Sequence, residues 1–305
     1  MLVLRVTAQA IPALMALWFG TLCGQSTPKH LNPVIEKLAA GKPFVGVQTG
    51  DLSLENARAL ARADIDYVYL EMEHGPMDFD GLHRFTVGMI DKATILKKGN
   101  AQPNVAVFAR FAPYGRENAQ WFVKQALDIG LMGVIFNGID NPEQALLAVR
   151  NMRYPQKRTS KYPEPAGLRG YAPGNAVWWW GIPDAEYERR ADVWPLNPDG
   201  DLLAIMMIET SDGLKNADAI AAVPGVGAIF VGAGADLSQY LGVERNSPEL
   251  EQGLQTILKA CLAHNVPCGI TALTANDIAK RLAEGWKMIR SPEIALLQWR
   301  SSPTR

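Results

Sequence analysis

Apolar runs of strand length alternate with helix-like segments along almost the whole chain from about residue 30 onwards. Most of the runs are continuously apolar, as expected of parallel strands that are covered on both faces. Between them, hydrophobic residues recur every three or four positions, the spacing of one helix face. Eight strands are predicted, over residues 44–48, 67–73, 105–111, 133–137, 202–209, 227–233, 267–272 and 286–290. Eight strand–helix units predict an α/β fold, a (β/α)8 TIM barrel over residues 30–305.

A doubly wound open sheet is the alternative architecture. It would usually need fewer strands, and no Gly-x-Gly-x-x-Gly turn follows the first predicted strand.

Composition supports a large folded domain, because 48% of the residues are hydrophobic and only 20% are charged. The formal net charge of −1 and the lack of a basic segment argue against nucleic acid as a partner.

The first 26 residues differ from the rest of the chain. Arg5 precedes an uncharged apolar run over residues 11–23, and the small residues Gly24 and Ser26 follow. This order predicts a secretory signal peptide over residues 1–26 and an exported protein, periplasmic or secreted. The run is too short to span a bilayer, so no membrane span is expected in the mature chain. If the segment is instead an ordinary buried helix, the protein is cytoplasmic.

One connection is unusually long. After a predicted helix over residues 142–153, about 45 residues without a regular pattern precede the fifth strand, and three consecutive tryptophans, 178–180, lie among them. Loops of this length are usually functional or disordered, and the aromatic content argues against disorder. We interpret this Trp-rich insert, at about residues 155–200, as a lid near the active mouth or a subunit contact. Simple packing of the tryptophans is the alternative.

Ionisable residues stand at the ends of several predicted strands. The second strand ends in Glu71, Glu73 and His74, the third in Arg110, and the fifth in Glu209. The sixth leads into Gly234-Ala235-Asp236, at the start of the next helix. Burying charge is costly unless it is paired or used, and strand C-termini converge at one mouth of a barrel. The sequence therefore predicts an active site at this mouth.

These residue types indicate a metal-dependent chemistry. Carboxylates without cysteine or clustered histidine suit a hard cation such as Mg²⁺ or Mn²⁺, which can stabilise an enolate. His74 can transfer a proton near neutral pH, and Arg110 can hold an anionic group. The amides of Gly234 and Ala235, at a helix N-terminus, can cradle a carboxylate. A Schiff-base mechanism is disfavoured, because Lys42 and Lys287 lie at the other ends of their strands.

Five short motifs resemble those of one family in order and spacing. They are Glu-His-Gly-Pro at 73–76, Arg110, Ala-Gly-Leu-Arg-Gly at 166–170, Ile-Glu-Thr at 208–210 and Ala-Asp-Leu-Ser at 235–238. From about residue 32 to about 292, the chain is similar to the HpcH/HpaI family of metal-dependent (class II) pyruvate aldolases. The resemblance implies a TIM barrel, often a hexamer, that cleaves 4-hydroxy-2-oxo acids into pyruvate and an aldehyde. A homo-oligomer that binds a small 2-oxo acid and an aldehyde is therefore expected.

The resemblance also implies a role for each residue. Glu209 and Asp236 would bind Mg²⁺ or Mn²⁺, with Co²⁺ as a further candidate. His74 would be the acid/base, and Arg110 would steady the oxo group and the enolate. The amides of Gly234 and Ala235 would hold the pyruvate carboxylate. Glu71, as the partner of His74, and Glu73 would support the site.

The chain departs from the family pattern at several places, three of which lie close to the predicted site. Glu71 replaces the usual Asp, Met207 replaces a common Gln, and the loop before Asp236 is one residue longer. These changes leave two alternatives open. One is an exported barrel without catalysis that binds a small carboxylate or a partner protein. The other is a lyase of acyl-CoA thioesters similar to the citrate lyase β subunit, although no basic patch for CoA phosphates is apparent.

Overall fold

The computed structural model describes residues 28–232 and 236–302. Nine parallel strands lie in this part of the chain, namely β1 Phe44–Thr49, β2 Tyr67–Met72, β3 Ala106–Tyr114, β4 Gly133–Asn137, β5 Val193–Trp194, β6 Leu202–Ile208, β7 Ala228–Val231, β8 Cys268–Thr271 and β9 Met288–Arg290. Their order in the sheet is β4-β3-β2-β1-β9-β8-β7-β6-β5, and a further pairing of β4 with β6 closes the ring. The closed barrel of eight strands confirms the predicted fold, and β5 is a short addition to the edge of β6.

The helices surround this barrel. Within the described residues they are α1 Pro33–Ala39, α2 Leu54–Leu60, α3 Phe79–Gly88, α4 Lys92–Lys98, α5 Gln120–Ile129, α6 Pro142–Met152, α7 Gly174–Trp180, α8 Asp184–Arg190, α9 Ser211–Lys215, α10 Ala217–Ala221, α11 Asp236–Leu241, α12 Pro248–Ala263, α13 Ala275–Glu284 and α14 Glu293–Arg300. Side-chain caps define the first turns of several of them, as where Ser247 accepts a hydrogen bond from the amide of Leu250 at the start of α12.

Aromatic side chains fill the barrel against glycines on neighbouring strands. A Cβ atom at Gly46 would lie within 2.6 Å of three Tyr67 atoms, and one at Gly133 would lie 2.7 Å from the Phe108 ring. The rings of Tyr67 and Phe108 stack with their centroids 5.6 Å apart. Because these side chains pack the interior, a ligand of this barrel is expected at its mouth.

The Trp-rich insert lies away from the predicted mouth. It contains α7, α8 and β5, so the prediction of about 45 irregular residues was wrong for these three elements. Trp179 Nε1 donates to the carbonyl of Thr86 at 2.6 Å, and Trp180 Nε1 donates to that of Gly130 at 2.8 Å. These carbonyls lie at the C-terminal ends of α3 and α5, which face the N-terminal ends of the strands.

The interpretation of the insert as a lid is therefore wrong. The insert follows the helix α6 rather than a strand, so it leaves the barrel at the end opposite the mouth. Of its three consecutive tryptophans, Trp179 and Trp180 pack inside, while Trp178 is 62% exposed. A subunit contact through the insert stays a prediction.

Some predictions concern residues that the structure does not describe. The signal peptide over residues 1–26 and the amides of Gly234 and Ala235 both lie outside the described ranges. Between residues 28 and 302, and apart from 233–235, no helix has the length and apolar character needed to cross a membrane. Cys261 and Cys268 are buried free thiols.

Candidate active site

A buried ion pair joins β2 and β3 at the mouth. The parallel register places Glu71 beside Arg110, so that both side chains project into the barrel. Arg110 Nε donates to Glu71 Oε2 at 2.9 Å, and Arg110 Nη2 donates to the same oxygen. From β1, Gln48 Nε2 donates to that oxygen at 2.7 Å. Charge-assisted bonds of this kind fix the orientation of the guanidinium.

The structure corrects the expected partner of Glu71. Its other oxygen, Oε1, accepts hydrogen bonds from the backbone amides of Glu73 at 2.8 Å and His74 at 3.3 Å. Both oxygens are thus occupied by Arg110, Gln48 and the backbone, and the His74 imidazole pairs elsewhere. Its Nε2 lies 3.5 Å from Glu73 Oε2, and the His74 side chain is 65% exposed at the rim. Glu73 therefore takes the place that the resemblance gave to Glu71.

Glu73 connects the imidazole to the guanidinium. Its Oε2 lies 2.8 Å from Arg110 Nη1, an ionic contact that is out of line with the N–H bond. Burial raises the pKa of the Glu73 carboxyl above its ordinary value, and the charges of Arg110 and His74 only partly oppose this. Arg110 is therefore shared between Glu71 and Glu73.

Glu209 adds a third buried carboxyl to this cluster. It follows β6, is 2% exposed, and accepts a hydrogen bond from the Gly138 amide at 2.8 Å through Oε1. Burial raises the pKa of Glu209 to about 7, and the neighbouring carboxylates of Glu73 and Asp236 add to the effect. The charge of Arg110 and the bond from Gly138 offset only part of this. The mouth therefore holds more negative charge than Arg110 neutralises.

A cavity of about 330 Å³ opens beside Glu209 and Asp236. Its other walls are Tyr114, Gln239 and Tyr240. Burial raises the pKa of the Tyr114 hydroxyl, and Glu73, Glu209 and Asp236 raise it further, so this tyrosine stands among the carboxylates. Sequence reasoning missed Tyr114, because it ended the third strand at residue 111.

A bulge brings Tyr114 to the mouth. Arg110 lies opposite Ile135 of β4, but Tyr114 lies opposite Asn137, so β3 has two extra residues between these pairs. Bulges often redirect side chains next to active sites. The signal in the sequence was Pro113, since a proline within an extended run indicates a bulge or an edge.

The predicted metal ligands come together at this cavity. No group of three His, Cys, Asp or Glu residues in the described ranges has the geometry to hold a metal ion. However, Mg²⁺ is usually bound through one or two carboxylates and keeps several waters. Burial and the charges of Glu73 and Asp236 raise the pKa of Glu209, and a divalent cation would offset these effects. These residues fit such an ion.

Two further sequence features have clear positions. Met207, which replaces the family's Gln, places its sulfur 3.6 Å from Arg110 Nη1. Arg169, from the motif at 166–170, lies outside the mouth and is fully buried against α5 and α8, where Nη2 donates to Asp128 and to the Tyr187 hydroxyl, each at 2.9 Å. This motif therefore stabilises the fold around the insert and takes no part in the site.

A TIM barrel with carboxylates, an arginine and an imidazole at the C-terminal ends of its strands has the features of an enzyme. Comparison with known proteins identifies the class. Residues 53–291 match the family model described as HpcH/HpaI aldolase/citrate lyase, and the chain belongs to this family. The predicted family is confirmed, and with it the assignment to the lyases.

Individual relatives support the assignment. The chain is 30% identical over 251 residues to a 5-keto-4-deoxy-D-glucarate aldolase of Salmonella paratyphi A, covering 81% of this chain and 85% of the relative. An HpcH/HpaI aldolase/citrate lyase family protein from Burkholderia cenocepacia superposes with a TM-score of 0.70 at 26% identity, covering 88% and 96% of the two chains.

A more distant structure bears on the metal. The citrate lyase β subunit of M. tuberculosis, solved with oxaloacetate and magnesium, has a TM-score of 0.52 at 14% identity and covers 85% of this chain and 96% of that chain. At this identity the likeness concerns the fold alone. It shows that a protein with this fold was solved with magnesium.

Proposed function

We propose that this protein is a metal-dependent carbon–carbon lyase that cleaves 4-hydroxy-2-oxo acids into pyruvate and an aldehyde. The observation that carries the proposal is the cluster of Glu73, Glu209 and Asp236 around Arg110, at the barrel mouth of a chain that belongs to a lyase family. Structural ion pairs are normally balanced in charge, and this cluster is not.

The chemistry requires one proton to move and one bond to break. The C4 hydroxyl loses its proton as the C3–C4 bond breaks, its oxygen becomes that of the aldehyde, and the released electron pair forms the enolate of pyruvate. Protonation of that enolate at C3 completes the reaction. Glu209 and Asp236 would hold Mg²⁺ or Mn²⁺, which when bound supplies Lewis acidity at the 2-oxo group.

The side chains of the mouth supply the remaining functions. Arg110, held by Glu71 and Glu73, would face the oxo group and offset the charge of the enolate. His74, beside Glu73, would accept the hydroxyl proton and return a proton to C3. The amides of Gly234 and Ala235 stay our proposed cradle for the substrate carboxylate. Assembly into a homo-oligomer and export of the protein are also proposals.

The likeness to a glucarate derivative's aldolase supports a particular kind of substrate. A glucarate carries a carboxylate at each end, so the aldehyde released from such a compound is itself an acid. We propose substrates of this type, with a second anionic group far from the 2-oxo acid.

One observation favours a second candidate, a barrel without catalysis that binds a small carboxylate. The guanidinium of Arg110 is already committed to Glu71 and Glu73, with the Met207 sulfur against Nη1. Calorimetry with pyruvate and with oxalate, with and without Mg²⁺, separates the two candidates when combined with turnover assays. Binding without turnover over a broad panel of aldehydes would favour the second.

Removal of metal tests the proposed mechanism. We expect a chelator to abolish pyruvate release from 4-hydroxy-2-oxo acids, because the two carboxylates alone cannot polarise the oxo group. Added Mg²⁺ or Mn²⁺ should restore the release. Full activity in a metal-stripped sample would disprove the metal-dependent mechanism.

Substitution of His74 tests its role in proton transfer. We expect His74→Ala to lower kcat by about 10²- to 10⁴-fold, the usual contribution of a general acid or base. Because the side chain is largely exposed, the fold should persist, which a thermal melt checks. His83→Ala on α3 is the control and should retain activity. Unchanged turnover in His74→Ala would remove this residue from the mechanism.

A further inference from the structure

The outer walls of the cavity are polar but uncharged. Beyond Glu209 and Asp236 they consist of Tyr114 on one side and of Gln239 and Tyr240, from α11, on the other. Hydroxyl and amide groups of this kind hydrogen-bond to hydroxyl groups of a ligand. The aldehyde half of the substrate, which extends away from the metal carboxylates, would lie between these walls.

Arg116 lies against Tyr114, one of the walls of this cavity. Its guanidinium carbon lies 5.4 Å from the centre of the Tyr114 ring, a cation–π contact. The turn that carries it is fixed, because the Gly115 amide donates to the Asn137 carbonyl at 2.9 Å. Gly115 packs closely, since a Cβ atom there would lie 2.7 Å from Ile139 Cδ1. The bulge in β3 thus positions Tyr114 and Arg116 together.

The arginines inside the mouth are committed to neighbours, and Arg116 is not. Arg110 binds Glu71 and Glu73, and Arg290 Nη2 donates to Gln48 Oε1 at 2.5 Å. Among the residues that the structure describes, Arg116 forms no ion pair with a carboxylate and is exposed to solvent. An anion entering this acidic mouth needs a positive charge, and Arg116, beside Tyr114, has a guanidinium that can provide it.

We infer that Arg116 binds an anionic group at the far end of the aldehyde half of the substrate. The inference rests on the proposed function, because the acidic aldehydes proposed there would supply this anionic group, and it assigns their recognition to one residue. A guanidinium presents two parallel N–H donors that match a carboxylate, and stacking on Tyr114 reduces the entropy lost on binding. Arg116 would determine specificity and would take no part in bond cleavage.

Matched aldehydes test the inference in the direction of aldol addition to pyruvate. Succinic semialdehyde carries a terminal carboxylate, and 4-oxobutanamide is its neutral counterpart. We expect Arg116→Gln to lower kcat/KM for the anionic aldehyde by about 10- to 100-fold, the effect of losing a hydrogen bond to a charged group. The value for the amide should stay within about twofold, and Arg116→Lys should recover part of the loss.

Two controls make the outcome decisive. Arg189→Gln removes an exposed arginine from α8, at the opposite end of the barrel, and should change neither value. Exchange of the pyruvate methyl protons in D₂O, followed by NMR, reports on the pyruvate half of the site alone and should be equal in wild type and Arg116→Gln.

The possible failures differ from one another. If the wild type shows neither proton exchange nor addition to any aldehyde, the proposed function fails and the inference fails with it. If exchange is normal but Arg116→Gln retains the wild-type preference for the anionic aldehyde, the inference alone is overturned. Equal loss with both aldehydes also overturns it, since Arg116 would then affect the site in general.

Discussion

Two buried arginines at opposite ends of the barrel are bound in different ways. Arg153, at the end of α6, is fully buried and shares two hydrogen bonds with Asp192, at 2.6 and 3.0 Å. Its remaining donors bond to the carbonyls of Pro165 at 2.6 Å and Tyr162 at 2.7 Å. One positive charge meets one negative charge, and neutral oxygens complete the set.

Arg110 at the mouth has no such balance. It contacts Glu71 and Glu73, and the carboxyls of Glu209 and Asp236 are close enough to influence the same cluster. The excess appears as the raised pKa of Glu73 and Glu209. The buried pair of Arg153 and Asp192, which holds the fold together, is balanced in charge, whereas a site built for a ligand retains charge that the ligand must neutralise.

The largest effect on stability is expected for the balanced pair of Arg153 and Asp192. Asp192→Ala leaves the Arg153 guanidinium buried without its counter-charge, so we expect a loss of about 3–5 kcal/mol in the free energy of unfolding. Urea unfolding measures it. Asp199→Ala, in the same insert, is the control, because its contact with Lys29 is exposed and 3.7 Å long, and it should cost less than about 0.5 kcal/mol. Similar losses for both would refute the assigned role of Asp192.

At the mouth, removing a carboxylate should raise the free energy of unfolding, whereas Asp192→Ala lowers it. The folded pKa of Glu209, about 7, lies above its ordinary value of 4.5. The folded state therefore holds this proton more tightly, and the resulting stabilisation is complete below about pH 4.5 and is lost as pH rises through 7. At pH 8 the ionised Glu209 then destabilises the metal-free protein by about 3 kcal/mol, at about 1.4 kcal/mol per pKa unit.

Glu209→Gln should therefore stabilise the metal-free protein by up to about 3 kcal/mol at pH 8 and by about 1 kcal/mol at pH 5, while abolishing turnover. Urea unfolding in a chelator at both pH values measures the difference. Glu251 is a control whose effect on stability has the opposite dependence on pH, because a hydrogen bond from Arg281 lowers its pKa to about 2. Its contribution is present above pH 4.5 and is lost as pH falls toward 2. Destabilisation by Glu209→Gln at pH 8 would show that the mouth is balanced after all.

The same comparison shows what the sequence could reveal. The residues of the mouth could be predicted because apolar runs locate the strands. In a parallel barrel the C-terminal ends of all strands lie at the same mouth. The sequence also contains the information that places the insert. A segment that follows a helix leaves the barrel at the end opposite the mouth, and the sequence predicts a helix over residues 142–153 directly before the insert.

Other features depend on information that a single sequence does not carry. The pairing of Glu71 with Arg110 follows from the register between β2 and β3, which is set by the closing of the whole barrel. Tyr114 and Arg116 reach the cavity through a bulge that Pro113 signals only weakly. The pKa of Glu209 arises from burial by residues distant in the chain, so no local pattern could have predicted it.

The smallest expected effect comes from a substitution of Met207, which lies near both the Arg110 guanidinium and the Glu209 carboxyl. Its sulfur is 3.6 Å from Arg110 Nη1, and a thioether is a weak acceptor. Its methyl carbon and Glu209 Oε2 flank Gly232, at 3.2 and 2.8 Å from the position of a Cβ atom there. A glutamine at this position could accept from Arg110 and donate to Glu209, which would favour the ionised form of that carboxyl.

We therefore expect Met207→Gln to lower the pKa of Glu209 and to change the free energy of unfolding by less than about 1 kcal/mol, within the net range of one hydrogen bond. The gain in the free energy of unfolding over wild type should be greater at pH 8 than at pH 5, because only the ionised carboxylate of Glu209 accepts the added hydrogen bond. Unfolding of the metal-free protein at both pH values measures it. Met207→Leu, which keeps the volume without the polar group, should show no such dependence on pH. If the two variants behave alike, the introduced amide does not reach Glu209, and the family's glutamine has another purpose in its relatives.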